Sequence, residues 1–280
     1  MKGEVAMLKD DKFFWFKENR IVIPGVKGEH LFYHLTDSHV DVVDELSTEE
    51  EREKFDYQAE LWAKYKKVFA DKNGEPYGEP QMITTLEAFE KQLALAEEMQ
   101  PEALLMTGDN LDNMHPAGER YLPKRMAAYK GTFICVPGNH EDPVLEGVWD
   151  TGVRTLDYDG FRFAALDDSR LTVSSEDLAA LKALCDEGIP IIILCHAPFQ
   201  TAYNKETMKD LDPYFYFTEE SEDENARAFI DLCVTNDMIK AVICGHVHGY
   251  HSLEFAPGKP LIIGSQGHAG AVDLVTVAGE

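Results

Sequence analysis

Short apolar runs of five to seven residues, each closed by Gly, Asp, Asn or His, alternate along this chain with stretches whose apolar positions recur at helical spacing. The runs Leu31–Leu35, Ala103–Thr107, Thr132–Val136, Ile189–Cys195 and Ile239–Cys244 predict buried strands. Ile189–Cys195 is nearly all Ile and Leu, the mark of a central strand covered on both faces. Val153–Tyr158 and Phe161–Leu166 flank Asp159-Gly160 as the arms of a tight hairpin do. Within residues 1–25, Phe13-Phe14-Trp15-Phe16 and the run from Arg20 to Pro24 predict an edge hairpin. The C-terminal segment predicts antiparallel strands near 250–255, 260–264 and 271–277, turned at Pro257-Gly258.

Between these strands lie helices. Ser47-Thr48-Glu49-Glu50 predicts a capping box of Ser47 with Glu50, opening a helix to about Ala70 with Phe55, Leu61, Trp62, Tyr65 and Phe69 near one face. Asn73-Gly74 ends it, and Pro76 and Pro80 prevent it from resuming. Further helices are expected over Thr84–Met99, Pro116–Tyr129, from Ser174 or Ser175 to Cys185, and over Glu224–Val234. Strand–helix–strand alternation predicts an α/β fold. No repeat or composition break divides the chain, so residues 1–280 are expected to form one domain with an inserted helical segment near 47–80 and a long loop near 199–225.

Composition narrows the partners. The chain carries 51 acidic against 26 basic residues, a formal charge of −25, which argues against a nucleic-acid or anionic-membrane surface. The five cysteines (Cys135, Cys185, Cys195, Cys233, Cys244) form no C-x-x-C pair, and three of them lie in apolar runs, so free thiols in a reducing compartment are expected. With no apolar leader after Met1-Lys2-Gly3-Glu4 and no run long enough to span a membrane, the expected location is cytoplasmic.

The candidate chemistry sits where the strands end. Asp37-x-His39 follows the first, Gly108-Asp109 the second, Gly138-Asn139-His140-Glu141 the third, His196 the fourth and Gly245-His246-Val247-His248 the fifth. Singly, each has an ordinary structural explanation: a helix cap for Asp37 or Asp109, a turn former for Asn139, a hydrogen-bonded histidine for His196. Together they put Asp, Asn and His at five strand C-termini, where α/β sheets place their sites. The His246/His248 pair, two apart after a buried strand, forms a ready metal chelate.

The set Asp37-x-His39, Gly108-Asp109-x-x-Asp112, Gly138-Asn139-His140-Glu141, His196 and Gly245-His246-x-His248 resembles the signature of calcineurin-like metallophosphoesterases, from residue 37 to residue 248. The resemblance implies an α/β fold, a two-sheet β-sandwich flanked by helices, with a dinuclear centre at the strand ends. It implies one ion bound by Asp37, His39 and His248, another by Asn139, His196 and His246, with Asp109 bridging, and His140 beside the scissile phosphate as the catalytic residue. The cofactors would be two divalent or mixed-valence transition-metal ions, with Mn, Fe and Zn all compatible with these ligands. The partner would be a small phosphate ester, mono- or diester.

The chain also departs from the family pattern. The gap from Asp37 to Asp109 is 72 residues (109 − 37), longer than usual by the 47–80 segment. Asp112 stands where purple acid phosphatases have a ligand tyrosine, which excludes that branch. The 47–80 segment is expected to form a lid or rim, and the 199–225 loop to lie near the site. Asp167 and Asp168 follow another strand and read first as surface turn residues, with support of a ligand from behind as the lesser alternative. Of the remaining histidines, His251 and His268 are candidates for substrate contact, whereas His30, His34 and His115 are expected to be structural. Two of Tyr203, Tyr214 and Tyr216 are expected to pack. Two rival functions are a non-catalytic interaction module on the same fold and a dinuclear amidohydrolase; the intact ligand set disfavours the first, and the late His-x-His pair the second.

Overall fold

Why these runs become strands is visible in where alternate side chains go. The computed structural model describes residues 13–74 and 83–279. Strands β1 (Trp15–Val22), β2 (Glu29–Leu35), β3 (Ala103–Thr107) and β4 (Phe133–Val136) join the C-terminal strand β13 (Ala271–Ala278) in one sheet, ordered β1-β13-β2-β3-β4. A second sheet combines β5 (Arg154–Tyr158), β6 (Phe161–Ala165), β7 (Ile191–Leu194), β10 (Ile239–Cys244), β11 (His251–Ala256) and β12 (Lys259–Ile263), ordered β11-β12-β10-β7-β6-β5. Phe32, Leu105 and Ile134 from the first sheet share one buried cluster with Phe163, Ile192, Leu194 and Ile243 from the second. The intervening side chains point the other way, as the period-two pleat requires. Leu104 and Met106 join Phe89 and Leu93 of helix α2 (Thr85–Met99) and Leu122 of α3 (Pro116–Ala128). Ile191 and Ile193 join Leu181 of α4 (Ser175–Asp186) and Phe229 of α5 (Glu224–Thr235). The result is helix, sheet, sheet, helix, the expected two-sheet sandwich.

The pairs β2/β3, β3/β4, β6/β7 and β7/β10 are all parallel. Their C-terminal ends therefore collect along one edge of the sandwich.

Three expectations need correction. The N-terminal segment is not a hairpin: β1 pairs in parallel with β13, which lies between it and β2. The third strand of the C-terminal segment is that same β13, in the first sheet; of the three expected antiparallel strands, β11 and β12 pair with each other in the second. The reason is burial. Val272 and Leu274 face one cluster and Val275 and Val277 the other, so β13 is apolar on both faces and takes an interior place, while the half-polar β1 takes the edge. Third, the capping box of α1 (Glu49–Asn73) forms one residue later than expected, from Thr48 and Glu51, because the Ser47 hydroxyl accepts the Asp44 N–H instead.

The 199–225 segment is more structured than a loop. Short strands β8 (Phe199–Gln200) and β9 (Phe217–Thr218) pair in parallel, and Pro213–Phe215 makes one 3-10 turn. Its tyrosines reverse the packing expectation: Tyr216 is buried, whereas Tyr203 and Tyr214 are exposed. Among the described residues no helix is long and apolar enough to cross a membrane.

Candidate metal centre

The edge where the parallel strands end gathers the seven expected metal ligands and His140. Asp37 and His39 follow β2, Asp109 follows β3, Asn139 and His140 follow β4, His196 follows β7, and His246 and His248 follow β10. Asp37, His39, Asp109, His196, His246 and His248 are buried.

Their donor atoms form two groups. In the first, His39 Nε2 lies 2.9 Å from His248 Nε2, and His248 Nε2 lies 3.3 Å from Asp37 Oδ1. In the second, His196 Nε2 lies 3.1 Å from both Asn139 Oδ1 and His246 Nδ1. Asp109 Oδ2 belongs to both, 3.7 Å from His39 Nε2 and 3.4 Å from His196 Nε2. Ions bound at about 2.0–2.2 Å would hold neighbouring donors roughly 3.0–3.5 Å apart. Two imidazole nitrogens at 2.9 Å must share either a proton or a cation. Asp37 Oδ1, fully buried, accepts no hydrogen bond among the described residues, while Oδ2 accepts from Thr36 Oγ1 and the His246 N–H. These residues fit two cations with a shared carboxylate.

The backbone is bent to achieve this. Among the described residues seven non-glycine positions have positive φ, and five of them are Asp37, His39, Asp109, His246 and His248. Each left-handed residue costs on the order of 1–2 kcal/mol. Asp and His tolerate that region better than branched residues, so the same residue types serve turn and donor. Neighbouring loops brace the turns, with His39 N donating to Asp109 O and Gly245 N to His196 O. Space is as tight as conformation: a Cβ on Gly138 would sit 2.1 Å from Asp109 Oδ1, and one on Gly245 would sit 1.9 Å from Thr36 Oγ1.

Electrostatics couple the two groups. Burial would raise the Asp37 pKa, but His248 brings it down to about 2; Asp109 is likewise held low against burial by His196. Burial would lower the His196 pKa, but Asp109 beside it raises it to about 10, whereas burial and the charge of His196 push His246 down to about 3. Both carboxylates are therefore ionised near neutrality, and His196 carries a proton that a cation must displace. Calorimetric metal titration in buffers of different ionisation enthalpy is expected to show proton release at neutral pH. Affinity is expected to rise roughly tenfold per pH unit for that one proton, until His196 is itself deprotonated.

His140 is placed differently. Its Nδ1 lies 2.5 Å from the carbonyl oxygen of Asp112, its backbone N–H donates to Asp109 Oδ1, and its side chain is 34% exposed. With Nδ1 occupied, Nε2 is the atom left to meet an incoming molecule. Glu141, buried and pushed up to about 8 first by burial and then by Asp109, accepts from the Leu111 and Gly138 N–H groups and ties two strand ends together.

Asp168 corrects the sequence reading. It is fully buried, and its carboxylate accepts from the backbone N–H of His196 at 2.6 Å and of Ala197 at 3.1 Å. The signal was present, since Asp168 follows an apolar strand as the other site carboxylates do. Asp168→Ala would strand two buried N–H groups. It is expected to lower unfolding free energy by roughly 2–4 kcal/mol in a denaturant titration. Asp167 is the turn residue expected, its Oδ1 accepting from Ser169 N. Arg170, not singled out by sequence, donates to the carbonyl of Asn139.

Of the other histidines, His30 pairs with Glu102, His34 bonds Thr107 Oγ1 inside the sheet, and His115 caps α3 while bonding Asp41. His268 is buried with its ring 4.8 Å from Trp62. His251 lines a cavity of about 270 Å³, together with Lys72 of α1 and Asp212, Phe215, Val247 and Tyr250. Phe215 brings the 199–225 segment to the site, its ring 5.1 Å from that of His246.

The family model for calcineurin-like phosphoesterase matches residues 30–250. Comparison with curated protein sequences finds no significant match. Among solved structures, a dimetal phosphatase from Danio rerio is similar with a TM-score of 0.53 at 11% identity, over 86% of this chain and 88% of that one. A purple acid phosphatase from yellow lupin (Lupinus luteus) seeds gives 0.48 at 11% identity, over 88% of this chain and 46% of that one. GAP50, the anchor in the inner membrane complex of Plasmodium, gives 0.47 at 13% identity, over 86% and 73%. The family match spans most of the chain and the fold agrees with it: the chain belongs to the calcineurin-like phosphoesterase family.

Proposed function

We propose that this chain is a metal-dependent phosphoesterase hydrolysing a small phosphate mono- or diester. The observation that carries the reading is Asp109 Oδ2 standing within 3.7 Å of one imidazole group and 3.4 Å of the other, a single carboxylate between two donor sets. Asp37, His39 and His248 would hold one ion, Asn139, His196 and His246 the other, and Asp109 both. Imidazole, carboxylate and amide oxygen suit Mn, Fe or Zn, and the five cysteines are buried free thiols outside the set. Two such ions supply a water deprotonated near neutral pH and charge stabilisation for the transferring phosphoryl group.

The chain's own residues do the rest. Asp112 O accepts from His140 Nδ1–H and so aims Nε2 outward; in the imidazolium form, with a proton on each ring nitrogen, His140 would give the Nε2 proton to the leaving oxygen as the ester P–O bond breaks. The bent ligand turns hold their geometry before anything binds, which reduces reorganisation during reaction. A formal charge of −25 surrounds a site made to hold cations, favouring a compact phosphate ester over a polyanion. The test is a screen of phosphomonoesters, phosphodiesters and nucleotides with Mn-, Fe- and Zn-reconstituted protein, alongside elemental analysis. Two ions per chain with turnover of at least one ester class supports the reading; two ions without turnover of any ester would sink it.

A further inference from the structure

Helix α1 reaches the site through two side chains one turn apart. Gln58 Nε2 donates to Asp112 Oδ2 at 2.8 Å, and Trp62 Nε1 donates to Asp112 Oδ1 at 2.9 Å. Positions four apart share a helix face, so one face of α1 grips both oxygens of one buried carboxylate. The Trp62 indole also lies over the His39 imidazole, ring centroids 4.3 Å apart and planes 30° apart, and reaches His248 at 5.9 Å and 27°. Under the N-terminal half of α1 a cavity of about 80 Å³ opens, lined by residues including Phe55, Lys54, Asp41 and His115, and its outer positions Tyr57 and Val68 are exposed.

Asp112 is the point where this grip meets the chemistry. Its Oδ1 lies 3.5 Å from His39 Nδ1, on the opposite edge of that ring from the donor atom facing Asp37 and His248. Its carbonyl oxygen engages His140 Nδ1. One residue therefore stands against an imidazole of the first donor group and bonds the imidazole assigned to the leaving group. Its carboxylate is itself held by Gln58, Trp62 and the adjacent Asn113.

Building on the phosphoesterase reading, we propose that Trp62 and Gln58 are positioning residues: seated on Asp112, α1 fixes His39 for its ion and His140 for the leaving oxygen. Helix α1 is then more than a rim that shapes access. Lifting α1 would remove two donors from Asp112 and the indole from His39 in one motion, loosening both imidazoles. Groups that orient a metal ligand from behind are worth about 10–100-fold in affinity or activity when removed.

The test uses the full chain, first stripped of metal and titrated with Mn²⁺. Trp62 fluorescence is expected to be quenched by the paramagnetic ion, and the Mn²⁺-dependent part of the quenching to be absent from Trp62→Phe. That variant keeps an aromatic ring but loses the N–H. Trp62→Phe and Gln58→Ala are each expected to weaken Mn²⁺ binding about 10-fold or more. They are also expected to lower kcat more for an alkyl than for a nitrophenyl phosphate, with KM little changed. In an Asp112→Ala background, Trp62→Phe should add nothing to either loss, because the receiver of its hydrogen bond is gone. Unchanged Mn²⁺ affinity and an unchanged alkyl-to-aryl ratio in both single variants would overturn the proposal and leave α1 a passive cover. So would full additivity with Asp112→Ala. A wild type that binds Mn²⁺ but hydrolyses nothing would defeat the phosphoesterase reading instead, while the affinity comparison still decides whether α1 positions His39.

Discussion

Asp109→Asn is expected to strip metal from both halves of the centre, not from one. The Asp109 carboxylate is the only side chain within reach of both imidazole groups among the described residues, and it is almost fully buried. Two cations about 3.5–4 Å apart repel each other strongly, and a shared negative charge is what lets both bind. An amide keeps the shape and one acceptor but carries no charge. Since groups that merely support a ligand are worth about 10–100-fold, loss of the shared charge should exceed that at each ion. Elemental analysis after dialysis should give well under two ions per chain, and hydrolysis should fall at least as far. His39→Ala is the comparison, weakening chiefly the ion shared with Asp37 and His248. An Asp109→Asn protein that retains two ions would contradict the bridging role.

His140→Ala carries the other large effect, and its signature is selective. His140 is fixed through its backbone by Asp109 and through Nδ1 by Asp112, so Nε2 is free to serve a leaving oxygen. General acid catalysis contributes about 10²–10⁴-fold, and the need for it grows as the leaving alkoxide becomes more basic. The variant should therefore lose most of that factor on an alkyl or nucleoside ester and far less on a nitrophenyl ester, at unchanged metal content. Equal losses on both would point to stabilisation of the phosphoryl oxygens, and loss of metal would place His140 among the ligands.

Some of the surrounding structure was legible because it depends on local pattern. Apolar runs ending in Gly, Asp, Asn or His announced strands with functional ends, and the helix expected over Thr84–Met99 formed over Thr85–Met99. Asp168 was misread for an instructive reason. Asp167 and Asp168 are adjacent and chemically identical, yet one bonds a turn N–H in its own loop and the other supports His196 from across the sheet. Nothing within the loop distinguishes them; only the loop after β7 does. Trp62 shows the same limit. Its helical spacing with Phe55 and Tyr65 reads as packing, but its N–H is used on Asp112, 50 positions away.

By itself the sequence determined the strand ends, the donor residue types and the family pattern they make, because turn geometry and ligand chemistry both act within a few residues. Tertiary structure alone decided the sheet membership of β1 and β13, the burial of Asp168 and the seating of α1 on Asp112. Each of these depends on which distant surface lies opposite. That is settled by burying two-faced apolar strands and pairing buried polar atoms across the whole molecule, and no local stretch of residues records it.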